Sequence, residues 1–262
     1  MSALASSLWA SLGGEPGALR RLRVTDAGAW LGGPLAVDEL AVGAVASALL
    51  AAGELARAGG GEPPEVELSG EHVALSFQSE RHALRAGTPA GAGFAPLSRF
   101  VRCAEGGWAR THGNYPHHAA ALLGALGLDA DLRGASAVQA LEAAALAREP
   151  VALEDAVAAA GGCAAAVRTA QQWRVHPTAR ALAGEGLISW HPGAVSAPRS
   201  VAGRGDPARA AAGVRVLDLT RVIAGPVAGR TLAALGAEVL RVDPPAMPEL
   251  EAQHLDCASR CG

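Results

Sequence analysis

Apolar residues recur every three or four positions from residue 34 to 57. Leu40, Ala41, Ala44, Val45, Ala48, Leu49, Ala52 and Leu55 line one side of a predicted long helix. Gly59-Gly60-Gly61 and Pro63-Pro64 end it, since neither run continues a helix. Residues 1–30 form a small, weakly periodic start. Beyond the long helix, Val66 and Leu68 predict a strand that leads into another apolar element over residues 73–77. Residues 87–93 read as a loop, and residues 100–110 as a hairpin turning at Glu105-Gly106-Gly107.

Helical spacing returns over residues 116–126, 138–148 and 153–160, the last stopped by Gly161-Gly162. A strand is expected at 163–167 and a helical turn at 171–173. Residues 192–212 are rich in Pro, Gly, Ala and Arg, which suits a linker. Val214, Val216 and Leu217 then form a short apolar run of the kind that fills a parallel strand. Ala224-Gly225-Pro226 turns the chain, and Val227, Leu232 and Leu235 share a helical face. Gly236 suits a left-handed helix end, and residues 238–242 make a second strand before Pro244-Pro245. Residues 213–245 thus predict a right-handed βαβ unit that needs further sheet around it. The expected organisation is a central-helix region at 1–80, a small α+β domain at 81–190, a linker at 191–212 and the start of a Rossmann-like domain at 213–262.

Composition narrows the setting. Half of the 262 residues are hydrophobic but only 3% are aromatic, so a core must be built from Ala, Leu and Val. There is no lysine; all 22 basic residues are arginine, and the formal net charge is −3. That balance exerts no general pull on nucleic acid or anionic membrane. No apolar run reads as long enough to span a membrane, and the first residues lack the basic charge of a signal peptide. Cysteines 103, 163, 257 and 261 make no disulfide framework, and the Cys257/Cys261 pair has too few companions for a metal. A cytoplasmic protein without metal, nucleic-acid or membrane partners is the expectation.

Several stretches resemble the family III CoA-transferases, the CaiB/BaiF family of formyl-CoA and carnitine CoA-transferases and α-methylacyl-CoA racemases. The residues are Val216-Leu217-Asp218-Leu219-Thr220-Arg221, Ala224-Gly225-Pro226, Leu235-Gly236-Ala237-Glu238-Val239 and Val242-Asp243-Pro244-Pro245. Residues 35–77 are similar to the family's long helix, glycine turn and strand. Arg102 to Trp108, residues 122–127 and residues 163–180 are similar to its smaller domain. The resemblance implies an α/β protein, an incomplete or rearranged family III fold in which elements of one unit precede the head of another. It further implies acyl-CoA and a carboxylic acid as substrates, coenzyme A as the carried group, and an interlocked homodimer.

The resemblance puts the catalytic carboxylate at Asp38, which would attack a thioester carbonyl. A helix N-terminus suits that task because its N–H groups and dipole stabilise negative charge. The same position also suits an Asp that only caps the helix. Around it Val37, Glu39, Leu40, Ala41 and Val42 stand where the family has small residues, and Gly43 alone is retained. By the same transfer, Arg221, Val222, Ile223, Ala224 and Gly225 would contact CoA, with Arg221 facing an anionic group. Alternatives stay open. His112, His117 and His118 allow a racemase-type proton-transfer site, a metal site or simple packing at a helix start. Asp243 after the second strand allows a dinucleotide-binding module, although Gly225 and Gly229 do not make G-x-G-x-x-G. A non-catalytic homologue is the third possibility.

Overall fold

A computed structural model describes residues 3–82, 84–89, 94–191 and 205–245, so most of the expected linker, Cys257 and Cys261 lie outside the described residues. The described residues form two compact units: one from residues 3–89 with 185–191 and 205–245, the other from residues 94–184.

The first unit is built on two parallel βαβ arrangements. Helix α1 (Ala3–Ser11) is followed by a short 3₁₀ turn and strand β1 (Leu22–Thr25), the long helix α2 (Val37–Ala58), and strand β2 (Val66–Ser69). β1 and β2 pair in parallel, Leu22 opposite Val66 and Thr25 opposite Ser69. The expected α2 is therefore the crossover of a β1–α2–β2 unit, whose first strand and preceding helix the weakly periodic opening residues did not reveal. α2 lacks a side-chain cap at Ala36, carries Asp38 and Glu39 in its first turn and Arg57 in its last, and closes on Gly60 at φ +96°. These charges complement the helix dipole. Trp9, Ala18, Ala46, Leu50, Val66 and Leu68 form the core here. α1 approaches α2 so closely that a Cβ on Gly43 would lie 3.0 Å from the Ala5 Cα.

α2 corrects one expectation drawn from the sequence. This 22-residue helix, with a mean hydropathy of 1.5 over its most apolar 18-residue window, is long and apolar enough to cross a membrane by length and composition. Its buried Ala46, Leu50 and Ala56 are packed in protein here. Glu54 receives Arg21 at 2.5 Å and Arg57 at 2.9 Å, and these guanidinium hydrogen bonds hold its carboxyl below the usual range. After β2, Ser69 caps helix α3 (Gly70–Phe77), accepting from the His72 N–H at 3.2 Å. A short helix α4 (Ser79–His82) and a two-residue hairpin, β3 (Leu84–Arg85) with β4 (Thr88–Pro89), follow.

The second unit is a three-stranded antiparallel sheet under three helices. β5 (Phe100–Arg102) and β6 (Trp108–His112) form the expected hairpin, and β7 (Cys163–Ala166) pairs with β6 from Ala109–Ala166 to His112–Cys163. Helices α5 (Pro116–Ala125), α6 (Gly134–Leu146) and α7 (Pro150–Ala159) bury Leu122, Leu123, Leu141, Ala145, Leu153 and Val157 with Val101 and Ala109. Thr111 is wholly buried, and its hydroxyl donates to the Leu97 carbonyl at 2.7 Å. Glu154 of α7 takes both Arg168 nitrogens, at 2.8 and 3.0 Å, and the Ala166 N–H, which ties α7 to the end of β7. Short helices α8 (Ala170–Val175) and α9 (Pro177–Leu182) come next, α8 opened by a Thr169/Gln172 capping box.

The chain then returns to the first unit for β8 (Arg215–Asp218), α10 (Ala224–Ala234) and β9 (Glu238–Arg241), paired in parallel from Arg215–Glu238 to Asp218–Arg241. This is the expected βαβ unit. Val216 and Val239 are half-buried, while Leu217 and Leu240, opposite each other, are 61% and 65% exposed. Leu219 and Val242 extend that exposed apolar strip. Parallel strands ordinarily have both faces covered, so this pair shows one face without a covering layer among the described residues.

Candidate functional site

Both parallel pairs point their candidate residues to the carboxyl ends of their strands. α2 begins beyond the end of β1, so Asp38 stands there, half-buried in the second position of the helix. Its Oδ1 accepts the Leu31 N–H at 2.9 Å, which fastens the 26–36 loop to the first turn. Asp38 is thus not the N-cap, a position held by Ala36; it anchors the incoming loop and keeps its second oxygen out of that bond. Nearby, the Trp30 indole donates to the Asp26 carbonyl at 2.8 Å, and Gly70 lets that carbonyl approach. Gly43 is the small residue the resemblance retained, and its missing Cβ accommodates Ala5 of α1.

Residues 221–225 form the turn from β8 into α10. Val222 has φ +67° and is exposed, as are Ile223 and Ala224. A β-branched residue in the left-handed region costs about 1–2 kcal/mol and persists only where its surroundings hold it. Two neighbours missing from the sequence-derived site supply the hold. Asp218 is 7% exposed, and its Oδ1 accepts both the Thr220 N–H at 2.8 Å and the Thr220 hydroxyl at 2.5 Å. Those bonds, the hydroxyl's first, keep the Asp218 carboxyl below its ordinary range against the opposing effect of burial. The Asp-x-Thr spacing was a readable signal for such a turn. The Asp218 carbonyl also accepts the Val242 N–H at 2.9 Å, and Arg241 bonds Asp243 at 2.8 and 3.1 Å.

The two glycines of α10 make room for this pair. A Cβ on Gly229 would lie 2.9 Å from Asp218 Oδ2, and one on Gly225 would overlap the Thr220 side chain. Gly225→Ala is therefore expected to destabilise the first unit by about 1–3 kcal/mol, despite alanine's better helix propensity. Gly124→Ala, whose Cβ meets nothing within 4 Å in α5, is expected to stabilise the chain by about 0.4–1 kcal/mol. Urea denaturation of both variants checks the opposite signs.

Gly205, ahead of β8, comes into backbone contact with Gly61, just past the helix terminus opposite Asp38.

In the second unit His112, Tyr115, His117 and His118 cluster where β6 meets α5, with His117 and His118 rings 4.2 Å apart and His112 and His118 5.5 Å apart. Tyr115 and Pro116 start α5, as expected. Burial is the first cause that pushes the imidazoles of His112 and His118 below their ordinary value of 6.5; Arg110 adds to it at His112, and His117 and His112 at His118. The folded form therefore holds fewer protons than the unfolded one. The stability these rings contribute is whole above pH 6.5 and is lost as pH falls through their lowered folded values. Urea midpoints of the second unit are expected to drop between pH 7.5 and 5, with a smaller drop in His118→Asn. No group of three or more His, Cys, Asp or Glu able to hold a metal occurs among the described residues.

The described residues therefore define a mixed α/β protein of helices and small sheets. Residues 211–253, which contain β8, α10 and β9, match the family model of CoA-transferase family III, and on that stretch the resemblance read from the sequence is shown. Two curated proteins are similar to parts of the chain. The Acetyl-coenzyme A transferase nodX of Hypoxylon pulicicidum is 43% identical over 68 residues, 26% of this chain and 10% of its own. The Acyl-CoA transferase of Gibberella moniliformis is 37% identical over 94 residues, 35% of this chain and 16% of its own. The chain thus spans about a tenth to a sixth of the length of the curated relatives it matches. No solved structure matches it.

Proposed function

We propose that this chain contributes to CoA transfer between an acyl-CoA and a carboxylic acid, with residues 221–225 contacting the CoA and Asp38 carrying the acyl group. The observation that carries the reading is the match of residues 211–253 to CoA-transferase family III, falling on a turn at the carboxyl ends of parallel strands. Nucleotides bind in that crevice in open α/β sheets, and α10 begins there with Ala224 exposed, so the Ala224 and Gly225 N–H groups are the donors it offers an anion. Arg221 supplies a guanidinium beside it.

The chemistry follows from a carboxylate nucleophile. An Asp38 oxygen adds to the thioester carbonyl, the C–S bond breaks, and the CoA thiolate leaves a mixed anhydride on Asp38. The thiolate then adds to the aspartyl carbonyl, releasing the first carboxylate and leaving an aspartyl-CoA thioester. The acceptor carboxylate repeats the two steps in reverse order, which regenerates Asp38 and forms the new acyl-CoA. On this reading the βαβ segment is the head of a Rossmann-like CoA-binding domain in an incomplete family III fold. The protein then acts in the cytoplasm as a homodimer without a metal.

A second reading, a non-catalytic homologue, is favoured by the bond from the Leu31 N–H to Asp38 and by the bulk of Glu39 and Leu40. Hydroxylamine trapping after incubation with acetyl-CoA separates the two. A hydroxamate at residue 38, located by mass spectrometry, supports transfer; CoA binding without any trapped adduct supports the homologue.

A further inference from the structure

We propose that Asp218 and Thr220 are positioning residues that hold the 221–223 turn in its ligand-ready shape before CoA arrives. The inference rests on the CoA reading of residues 221–225 and extends it to two side chains that reading leaves without a role. Asp218 ends β8 and is fixed on three sides. Its carbonyl accepts the N–H of Val242, the residue after β9, its Oδ1 takes both donors of Thr220, and its Oδ2 rests over Gly229 of α10. Thr220 in turn fills the notch left by Gly225 in the first turn of α10.

The two residues thus lock the end of β8 to the start of α10 across the intervening turn. Leu219, Val222 and Ile223 are exposed, and Val222 keeps a left-handed backbone that a β-branched residue adopts only under constraint. Thr220 is fixed before Val222, and the α10 hydrogen bond from the Val227 N–H to the Ile223 carbonyl fixes the chain after it. A turn ordered in advance loses less freedom on binding, so the lock acts on affinity without touching the ligand. Glycine at 222 would remove the constraint from inside the turn.

The test uses the full chain and four variants, Thr220→Val, Thr220→Ser, Asp218→Asn and Val222→Gly. Two readouts are taken: amide hydrogen exchange of residues 219–225, and affinity for coenzyme A by calorimetry at fixed salt. Thr220→Val keeps the side-chain shape and loses the hydroxyl donor. It is expected to speed exchange and weaken CoA binding on the order of tenfold, the effect of one hydrogen bond to a buried carboxylate. Thr220→Ser restores the donor and is expected to restore both readouts. Val222→Gly is expected to speed exchange and weaken binding with no fall in melting temperature, an outcome that simple destabilisation does not give.

Exchange at the parent rate in Thr220→Val and Val222→Gly overturns the lock whatever CoA does. Faster exchange with unchanged CoA affinity overturns the positioning role. Faster exchange in a chain whose parent binds no CoA overturns the CoA reading and with it the role proposed here, while the lock itself stands on the exchange data. If Asp218→Asn fails to fold, the threonine pair and Val222→Gly decide the outcome.

Discussion

Asp38→Asn is expected to abolish the trapped acyl adduct and lower CoA transfer by at least about 10⁴-fold, the scale of removing a nucleophile that acts with its neighbours as a unit. The amide retains an oxygen that can accept the Leu31 N–H, so the loop before α2 stays fastened and the helix keeps its start. Circular dichroism and melting temperature should therefore match the parent while hydroxamate formation vanishes. Asp38→Ala separates the roles from the other side, since it also releases the Leu31 N–H and is expected to cost about 0.5–2 kcal/mol. Unchanged trapping in Asp38→Asn would remove Asp38 from the chemistry.

Leu141→Ala is expected to destabilise the second unit by about 2–5 kcal/mol, read from urea denaturation. Leu141 is fully buried in α6 among Val101, Leu122, Leu123 and Val157, and with so few aromatics the core depends on such leucines. The core cluster around it is mostly alanine, valine and leucine, with Cys103, and its close packing limits collapse. Hydrogen exchange should localise the loss: amides of α5, α6 and β6 should lose protection, whereas those of α2 should not. Uniform loss in both units would mean that the two unfold as one cooperative body.

The elements legible in the sequence are those set by near neighbours. The 3.6-residue spacing of α2, the Glu105-Gly106-Gly107 turn between β5 and β6, the Tyr115-Pro116 start of α5 and the β8–α10–β9 order all appear where the residues put them. The Thr169-x-x-Gln172 box was equally readable. What stayed hidden depends on distant partners. β1 is four residues with no clear alternation, and it becomes a strand because Val66–Ser69 lies beside it in parallel. β7 becomes the third strand of its sheet through pairing with β6, a contact no local pattern encodes.

The site was legible in the same uneven way. The resemblance named Asp38 and residues 221–225, and the structure puts each at the carboxyl end of a parallel pair. It did not name Asp218 and Thr220, because their importance lies in buried bonds and in two glycine notches across the turn. Gly43 shows the converse. Its retention resembled a ligand-access feature, yet its missing Cβ serves the contact with Ala5.

The face of β8 and β9 that is bare among the described residues sets how the purified chain will behave in different salts. Leu217, Leu219, Leu240 and Val242 present a continuous apolar strip, while a net charge of −3 gives little mutual repulsion. Solubility will therefore follow the Hofmeister order of the buffer anion more closely than its ionic strength, with sulfate driving association at concentrations where chloride leaves the chain dispersed.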